Sequence, residues 1–231
     1  MMIKMIKFFL KKLRNITVGD FRNEILSEII VEIILKYYNK KETIKIIDYG
    51  SGIQARVIFY IYKKLKNKHK INVKINCYDL YNSKNLENLN HNNDIIFLHI
   101  EKLNADNTKY DFCLINDVLH HIGVEKVSEL KNLITTLQNK AKYVLIKDHF
   151  QYGFFSNLTI RVMDFLGNYY NDVSTPKKYF DKSSFSYLLK LTNSEIVEKI
   201  LNIKLYQSYF LFMSNPKFNF IYLIKRSTRN L

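Results

Sequence analysis

Asp48, Gly50 and Gly52 stand in the order D-x-G-x-G within "IKIIDYGSGIQAR", and Asp79 closes the alternating stretch "INVKINCYDL". Glycines two apart after an apolar run suit a tight strand-to-helix turn whose bare backbone lets a ligand approach closely. "GSGIQA" also satisfies the relaxed G-x-G-x-x-G/A pattern of dinucleotide-binding turns, with Ala55 in the last slot. Asp48 speaks for a different ligand, because a carboxylate beside the turn suits an ammonium group and repels a pyrophosphate. Singly, Asp48 reads as a helix cap and Asp79 as a turn former. Their joint order and spacing favour a binding site.

A second group has residue types suited to proton transfer: Asp117, His120 and His121 after "YDFCLIN", and Lys147, Asp148 and His149 at the end of "KYVLIKDH". An unperturbed imidazole titrates near neutral pH, which makes His149, directly after its strand, the first candidate for a general base. Asp148 is the candidate to orient it, and His121 a further candidate in the same region. His120 and His121 also read as polar groups at a helix start near the sheet edge. Arg161, Asp164 and Asn168, farther along, offer polar contacts. Cys77 and Cys113 sit in apolar strand-like runs without metal-ligand or C-x-x-C spacing and read as buried free thiols of a reducing compartment.

Regular elements must position these groups. Apolar residues at Ile25, Ile29, Ile33 and Tyr37 mark a helix with Asp20 as its N-cap. Lys45 to Asp48 reads as a short buried strand, and "QARVIFYIYKKLKNKHK" as the helix that follows. "INVKINCYDL", "DIIFLHI", "DFCLIN" and "KYVLIKD" are further strands, with "EKVSELKNLITTL" a helix before the last of them. Strands separated by helical segments predict right-handed crossovers, a mostly parallel sheet covered on both faces, and ligands at the carboxyl ends of the strands. After His149 the rhythm changes to a helix, "FFSNLTIRVMDFLGN", a turn-rich stretch, and the short helix "FSYLLKL". "SEIVEKILNIKLY" and "FNFIYLIKR" are then two strands joined by a loop, most easily antiparallel neighbours.

With D-x-G-x-G, the acid Asp79 after the second strand and "NDVLHHI" after the fourth, the chain resembles the class I methyltransferases that use S-adenosyl-L-methionine. The match runs from about Ile44 to His149, with the tail alike only in its pattern of elements. The resemblance implies a Rossmann-like α/β fold: a doubly wound seven-stranded sheet, mostly parallel with an antiparallel last strand, in three αβα layers. It further implies that Gly50, Ser51 and Gly52 seat the methionine part of the cofactor and that Asp48 holds its ammonium group. Asp79 would accept hydrogen bonds from the ribose hydroxyls, and Asn116 would border the methionine moiety. Two positions depart from the family. Gln54 replaces the third glycine, and His99 stands where an acid usually meets the adenine amino group, with the Ile100 amide beside it. Some catechol-type members bind a divalent cation through acids near Asp117 and Asp148, but His149 stands at the third ligand position, so no metal is expected.

The 231-residue chain predicts one domain, at 44–231, preceded by a helical extension at 1–43 and carrying a substrate-cover insertion at about 150–184. Phe150, Tyr152, Phe154, Phe155, Tyr169 and Tyr170 would line that cover. A formal charge of +15 invites a nucleic-acid partner. Its basic run "KKLKNKHK", however, falls at the far end of the helix after the first strand, and the N-P-P-Y-like signature of amino-methylating enzymes is absent. "MMIKMIKFFLKKLR" lacks the unbroken apolar core and cleavage site of a signal peptide. It reads as an amphipathic helix that docks on the domain or, less favoured, on an anionic membrane surface. The expectation is a cytoplasmic or membrane-peripheral enzyme that methylates a small-molecule or lipid-like acceptor at oxygen. An RNA methyltransferase and a non-catalytic cofactor-binding scaffold are the alternatives.

Overall fold

The strand-forming runs are apolar enough to be buried on both faces, which is what a parallel sheet sandwiched between helices demands. In the computed structural model, which describes residues 19–38, 43–52, 55–80, 93–168, 174–206 and 215–228, they form one sheet. Its strands are β1 (Ile44–Tyr49), β2 (Val73–Asp79), β3 (Ile95–His99), β4 (Tyr110–Asn116), β5 (Ala141–His149), β6 (Ser194–Leu201) and β7 (Asn219–Arg226). Their spatial order is β3-β2-β1-β4-β5-β7-β6. The pairings among β1 to β5 are parallel, and β7 runs antiparallel to both β5 and β6. Seven strands with an antiparallel last one are as expected. The order reverses between β1 and β4, where Tyr49 lies opposite Ile115. At such a switch point the crossovers leave in opposite directions and open a crevice at the carboxyl ends.

Helices α1 (Asp20–Tyr37), α2 (Arg56–Lys63), α3 (Lys102–Ala105), α4 (Leu119–Ile122), α5 (Val127–Lys140), α6 (Phe154–Asn168) and α7 (Lys182–Leu191) accompany the sheet. Strand alternation divides the core between its two faces. Phe112 and Leu114 of β4 pack in one cluster with Leu26, Ile30 and Ile34 of α1 and Ile58 and Ile61 of α2. Cys113 and Ile115 pack in the other, with Leu130, Ile134 and Leu137 of α5 and Phe185 and Leu188 of α7. Three layers result. Cys77 and Cys113 are buried free thiols, and burial pushes both thiol pKa values well up.

Two helix starts differ from the sequence reading. Gly19, not Asp20, is the N-cap of α1, and Asp20 occupies the first turn, where its carboxylate faces the positive end of the helix dipole. α2 begins at Arg56 after Ala55, which takes a left-handed conformation at φ +38°. Gln54 and the basic amphipathic segment at 1–18 lie outside the described residues.

The turn after β1 is built on positive φ values, +77° at Gly50 and +67° at Gly52. A Cβ on Gly50 would lie 2.4 Å from Val118 Cγ2, whereas one on Gly52 would meet nothing within 4 Å. Both alanine variants carry the left-handed cost of about 1–2 kcal/mol. Gly50→Ala adds a collision with a β-branched side chain that has few rotamers to escape into. Urea denaturation is expected to rank Gly50→Ala below Gly52→Ala in stability, with the difference removed when Val118→Ala is added to Gly50→Ala. Equal stability of the two single variants would contradict this packing.

Candidate functional site

The carboxyl ends of β1, β2 and β4 bring two acids and the glycine turn together. Asp48 is buried at the end of β1, and burial, reinforced by the nearby charge of Asp79, raises its carboxyl pKa to about 8. Its Oδ1 has no hydrogen-bond partner among the described residues. Asp79 Oδ2 accepts the Gly52 N–H at 2.7 Å, and the Gly50 N–H donates to the Tyr78 carbonyl at 2.8 Å, so β2 holds the turn at both glycines. Ser51 Oγ and Asn116 Oδ1 are likewise buried without partners. Buried polar atoms are ordinarily satisfied. Three orphaned oxygens on adjoining strand ends therefore fit a polar ligand that supplies their missing donors, an ammonium group suiting the Asp48 carboxylate best.

Farther along the same edge, Asp79 lies opposite His99 in the sheet. His99 Nδ1 is 3.3 Å from the exposed Glu101 carboxylate, which returns an acid to the position where the sequence places only an imidazole. The Ile100 N–H donates to the Asp79 carbonyl at 2.9 Å and is thus already committed to β2. Beyond β4 and β5 lie two polar networks. In the first, Asp117 pairs with Arg22 of α1, with Lys147 Nζ at 2.5 Å and with His149 Nε2 at 3.1 Å. Burial would raise the Asp117 carboxyl pKa, but Lys147 and Arg22 outweigh it and hold it well below the usual range. Burial, and then Lys147, lower the His149 pKa. That shift favours the neutral ring, with Nε2 3.1 Å from Asp117 Oδ1 and 3.4 Å from Lys147 Nζ, and Nδ1 buried without a partner among the described residues. Asp117 adopts φ +55°, an uncommon conformation for a residue other than glycine, and its N–H donates to the Lys147 carbonyl at 2.9 Å.

In the second network, Asp148 faces His120 Nδ1 at 2.6 Å and also accepts the backbone N–H of His120. On the far side of that ring, Nε2 is 3.7 Å from Asp164 Oδ1 of α6. Burial would lower the His120 pKa, yet Asp148 and Asp164 raise it to about 10. The His121 ring packs at a tilt of 43° against His120, with centroids 4.2 Å apart, and its own pKa falls through burial and the charge of its neighbour. Tyr179 OH donates to Asp164 Oδ2 at 3.2 Å and closes the group.

This arrangement corrects one expectation. Asp148 does not orient the His149 ring; it accepts only the His149 backbone N–H, at 2.7 Å, and grips His120 instead. Successive side chains on a strand leave opposite faces, so Lys147 and His149 share a side from which Asp148 is turned away. Asp117 is the carboxylate that orients His149. For the same reason Asp117 and Asp148 do not converge on one cation. The sequence gives no sign of Arg22, which reaches the site from a helix before β1, nor of Tyr179.

The 150–184 segment is divided. Phe150 is buried against Phe220 at a centroid distance of 4.0 Å, but Phe154 and Phe155 are 76% and 82% exposed. The in-line residues Phe155, Leu158, Val162 and Phe165 face outward, while Ile160, Asp164 and Gly167 of α6 face the domain. The proposed apolar lining from Tyr169 and Tyr170 falls outside the described residues.

No protein-family model and no curated protein sequence matches the chain. Solved structures do. The plantazolicin methyltransferase BpumL, in complex with SAH, superposes with a TM-score of 0.58 at 16% identity, over 96% of this chain and all of that one. The mitomycin 7-O-methyltransferase MmcR gives a TM-score of 0.55 at 13% identity over 89% of this chain. N,N-8-amino-8-demethyl-D-riboflavin dimethyltransferase (RosA) from Streptomyces davawensis gives 0.53 at 10% over 87%. The chain spans about half the length of these last two, 53% and 55%. Sheet order, antiparallel final strand and these superpositions agree: the chain has the fold of the class I S-adenosylmethionine-dependent methyltransferases.

Proposed function

We propose that this chain transfers a methyl group from S-adenosyl-L-methionine to an oxygen atom of a small or lipid-like acceptor. The observation that carries the reading is the buried Asp48 carboxylate with an unpartnered oxygen, set beside Asp79 and the open Gly50–Gly52 turn. The bound cofactor would supply an electrophilic sulfonium methyl group. Asp48 would meet its ammonium group, Ser51 and Asn116 its carboxylate and chain, and Asp79 the ribose hydroxyls, with His99 and Ile100 bordering the adenine.

Positioning accounts for much of the rate of an in-line displacement, and the remaining task is to remove the acceptor's proton. His149 would take that proton. With its Nε2–H donated to Asp117, the tautomer leaves Nδ1 as the basic nitrogen, and the lowered pKa keeps that nitrogen unprotonated near pH 7. Asp117 is its positioning residue, and Lys147 holds the ring neutral. Asp148 fixes His120, and His121 stands with it on the acceptor side. The names of MmcR and RosA, enzymes of small-molecule methylation, support the same class of acceptor here.

A polyanionic substrate is less well supported. Lys64 and Lys68 pair with Glu28, and Lys66 pairs with Asp94 just before β3, at the amino ends of the strands. Two acids thus offset two of these three lysine charges, on the edge opposite the glycine turn. Among the described residues no helix is long and apolar enough to cross a membrane.

Below pH 8 the free protein holds a proton on Asp48 that an incoming ammonium group must displace. At about pH 6.5, where an α-amino group is protonated, cofactor binding should release close to one proton. Calorimetry in buffers of different ionisation enthalpy is expected to show this release for wild type and not for Asp48→Asn, with Asp79→Ala abolishing binding and NADH giving none. Absence of binding by both S-adenosyl-L-methionine and its demethylated product would end the cofactor assignment. For the base, His149→Ala is expected to lower turnover by about 10²–10⁴-fold while cofactor affinity stays within about two-fold. Lys147→Met removes a like charge from beside the ring, so the His149 pKa and the acid limb of the pH–rate profile should both move to higher pH. An unmoved profile would mean that another group takes the proton.

A further inference from the structure

His120, His121 and Asp164 form a set of donors that methyl transfer by His149 does not use. His120 Nε2 and His121 Nε2 lie 3.7 and 3.5 Å from the same atom, Asp164 Oδ1, and ligand atoms of the three residues all fall within 4.8 Å of one another. Metal–ligand bonds of about 2.0–2.1 Å at tetrahedral angles place donor atoms roughly 3.3 Å apart. Shifts of a few tenths of an ångström would bring the two imidazole–Asp164 edges to that spacing, and the two imidazoles would close toward each other about the ion.

The surroundings favour a cation over a plain hydrogen-bonded cluster. His120 is almost fully buried, and its Nε2 makes no hydrogen bond among the described residues, although it points at Asp164 Oδ1, 3.7 Å away. Its other nitrogen is held by Asp148 at 2.6 Å, which fixes the ring with Nε2 turned toward Asp164 Oδ1; a bound metal ion would displace the proton that the two carboxylates otherwise keep on that nitrogen. His121 Nδ1 is 3.3 Å from the Ser174 carbonyl, giving the second imidazole the same kind of anchor. Asp164 is braced by Tyr179 OH at 3.2 Å and by Asn168 Nδ2 at 2.7 Å, the Asn168 amide lying also 3.5 Å from His121 Nε2. Metal-ligating histidines characteristically give their second ring nitrogen to a carboxylate or a backbone carbonyl, and ligating carboxylates are themselves hydrogen-bonded. Both conditions are met here by residues from β5, α6 and the segments around it.

We propose that His120 Nε2, His121 Nε2 and Asp164 Oδ1 bind one divalent transition-metal ion of the zinc class, with a fourth coordination position open. Two imidazoles and one carboxylate select zinc, cobalt or nickel over magnesium and calcium, which take oxygen ligands. Three protein ligands leave room for water or an acceptor oxygen. The ion also ties α6 to α4, so it orders the helix that borders the acceptor side. This site is distinct from the Asp117 and Asp148 pair considered for a hard cation in the sequence, and it stands whether or not the chain transfers methyl groups.

The test uses the full chain, stripped with a chelator and titrated calorimetrically with zinc chloride and, separately, magnesium chloride. Cobalt(II) serves as the visible-absorption probe. One zinc per chain is expected, with no magnesium binding, and cobalt should develop the ligand-field bands of a four- or five-coordinate nitrogen and oxygen site. His121→Gln and Asp164→Asn should each weaken zinc binding by more than the roughly 10–100-fold that loss of an outer partner costs. His69→Gln, remote from the cluster, should not. Because either ligand variant could misfold, the wild-type protein gives a second readout: paramagnetic cobalt must shift the ring resonances of His120 and His121 and leave those of His69 in place. No stoichiometric zinc binding, or binding that survives both ligand variants, or cobalt shifts confined to other histidines, would overturn the site. The cofactor titration is read in the same metal-free protein, so failure of one assignment does not disguise failure of the other.

Discussion

The carboxyl edge of this sheet gathers Asp48, Asp79, Asp117 and Asp148 at the ends of four strands, and compensating their charge away from water is the constraint on which the site depends. An isolated buried carboxylate costs several kcal/mol, so each must be paired, hydrogen-bonded or protonated. Asp117 is paired most heavily. Arg22 comes to it from α1, and Lys147 and His149 come from the adjoining strand. One carboxylate thereby ties a helix on one face of the sheet to the strand that carries the candidate base.

Asp48 illustrates the opposite solution. Among the described residues no lysine or arginine is paired with it, and in the free protein a proton supplies the compensation. The contrast separates two roles: where the fold supplies its own cations the carboxylate is structural and positioning, and where a proton does so the carboxylate is left able to exchange that proton for a cationic group, as the proposed cofactor would require. Backbone donors divide in the same way. The Gly52 amide is spent on Asp79 and the Ile100 amide on the Asp79 carbonyl, so β2 is fastened to both flanking turns before any ligand arrives.

The fold was largely legible because its signals are periodic and local. Apolar runs ending in Asp48, Asp79, Asn116 and His149 marked four strands, and two strand signals without an intervening helix marked the antiparallel β7 beside β6. Asp48, Gly50 and Asp79 could be placed together because a parallel sheet aligns its carboxyl ends. Side-chain pairing was not legible. Asp148 and His149 are neighbours in sequence yet separate on the strand, and their true partners, His120 and Asp117, lie 28 and 32 positions away in the chain. Arg22 is more distant still, 95 positions from Asp117, and nothing in the periodicity of α1 distinguishes it from a solvated arginine.

Helix α6 shows why periodicity misleads about orientation there. The usual rule sends the apolar stripe of an amphipathic helix inward because burial of a large side chain is worth about 1.5–3 kcal/mol. Here Phe155, Leu158, Val162 and Phe165 remain substantially exposed, and Asp164 instead turns inward beside His120, His121 and Tyr179. The rule yields because His120 and Asp148 are already committed to the interior: a buried imidazole between carboxylates is satisfied only if a polar partner approaches its second nitrogen. Asp164 Oδ1 approaches that nitrogen to 3.7 Å as a counter-charge without closing a hydrogen bond, and Asn168, one turn on, donates one to the same carboxylate. The inward face of α6 is therefore set by the chemistry beneath it: the helix turns Asp164 and Asn168 toward the buried imidazoles and leaves its apolar stripe outside.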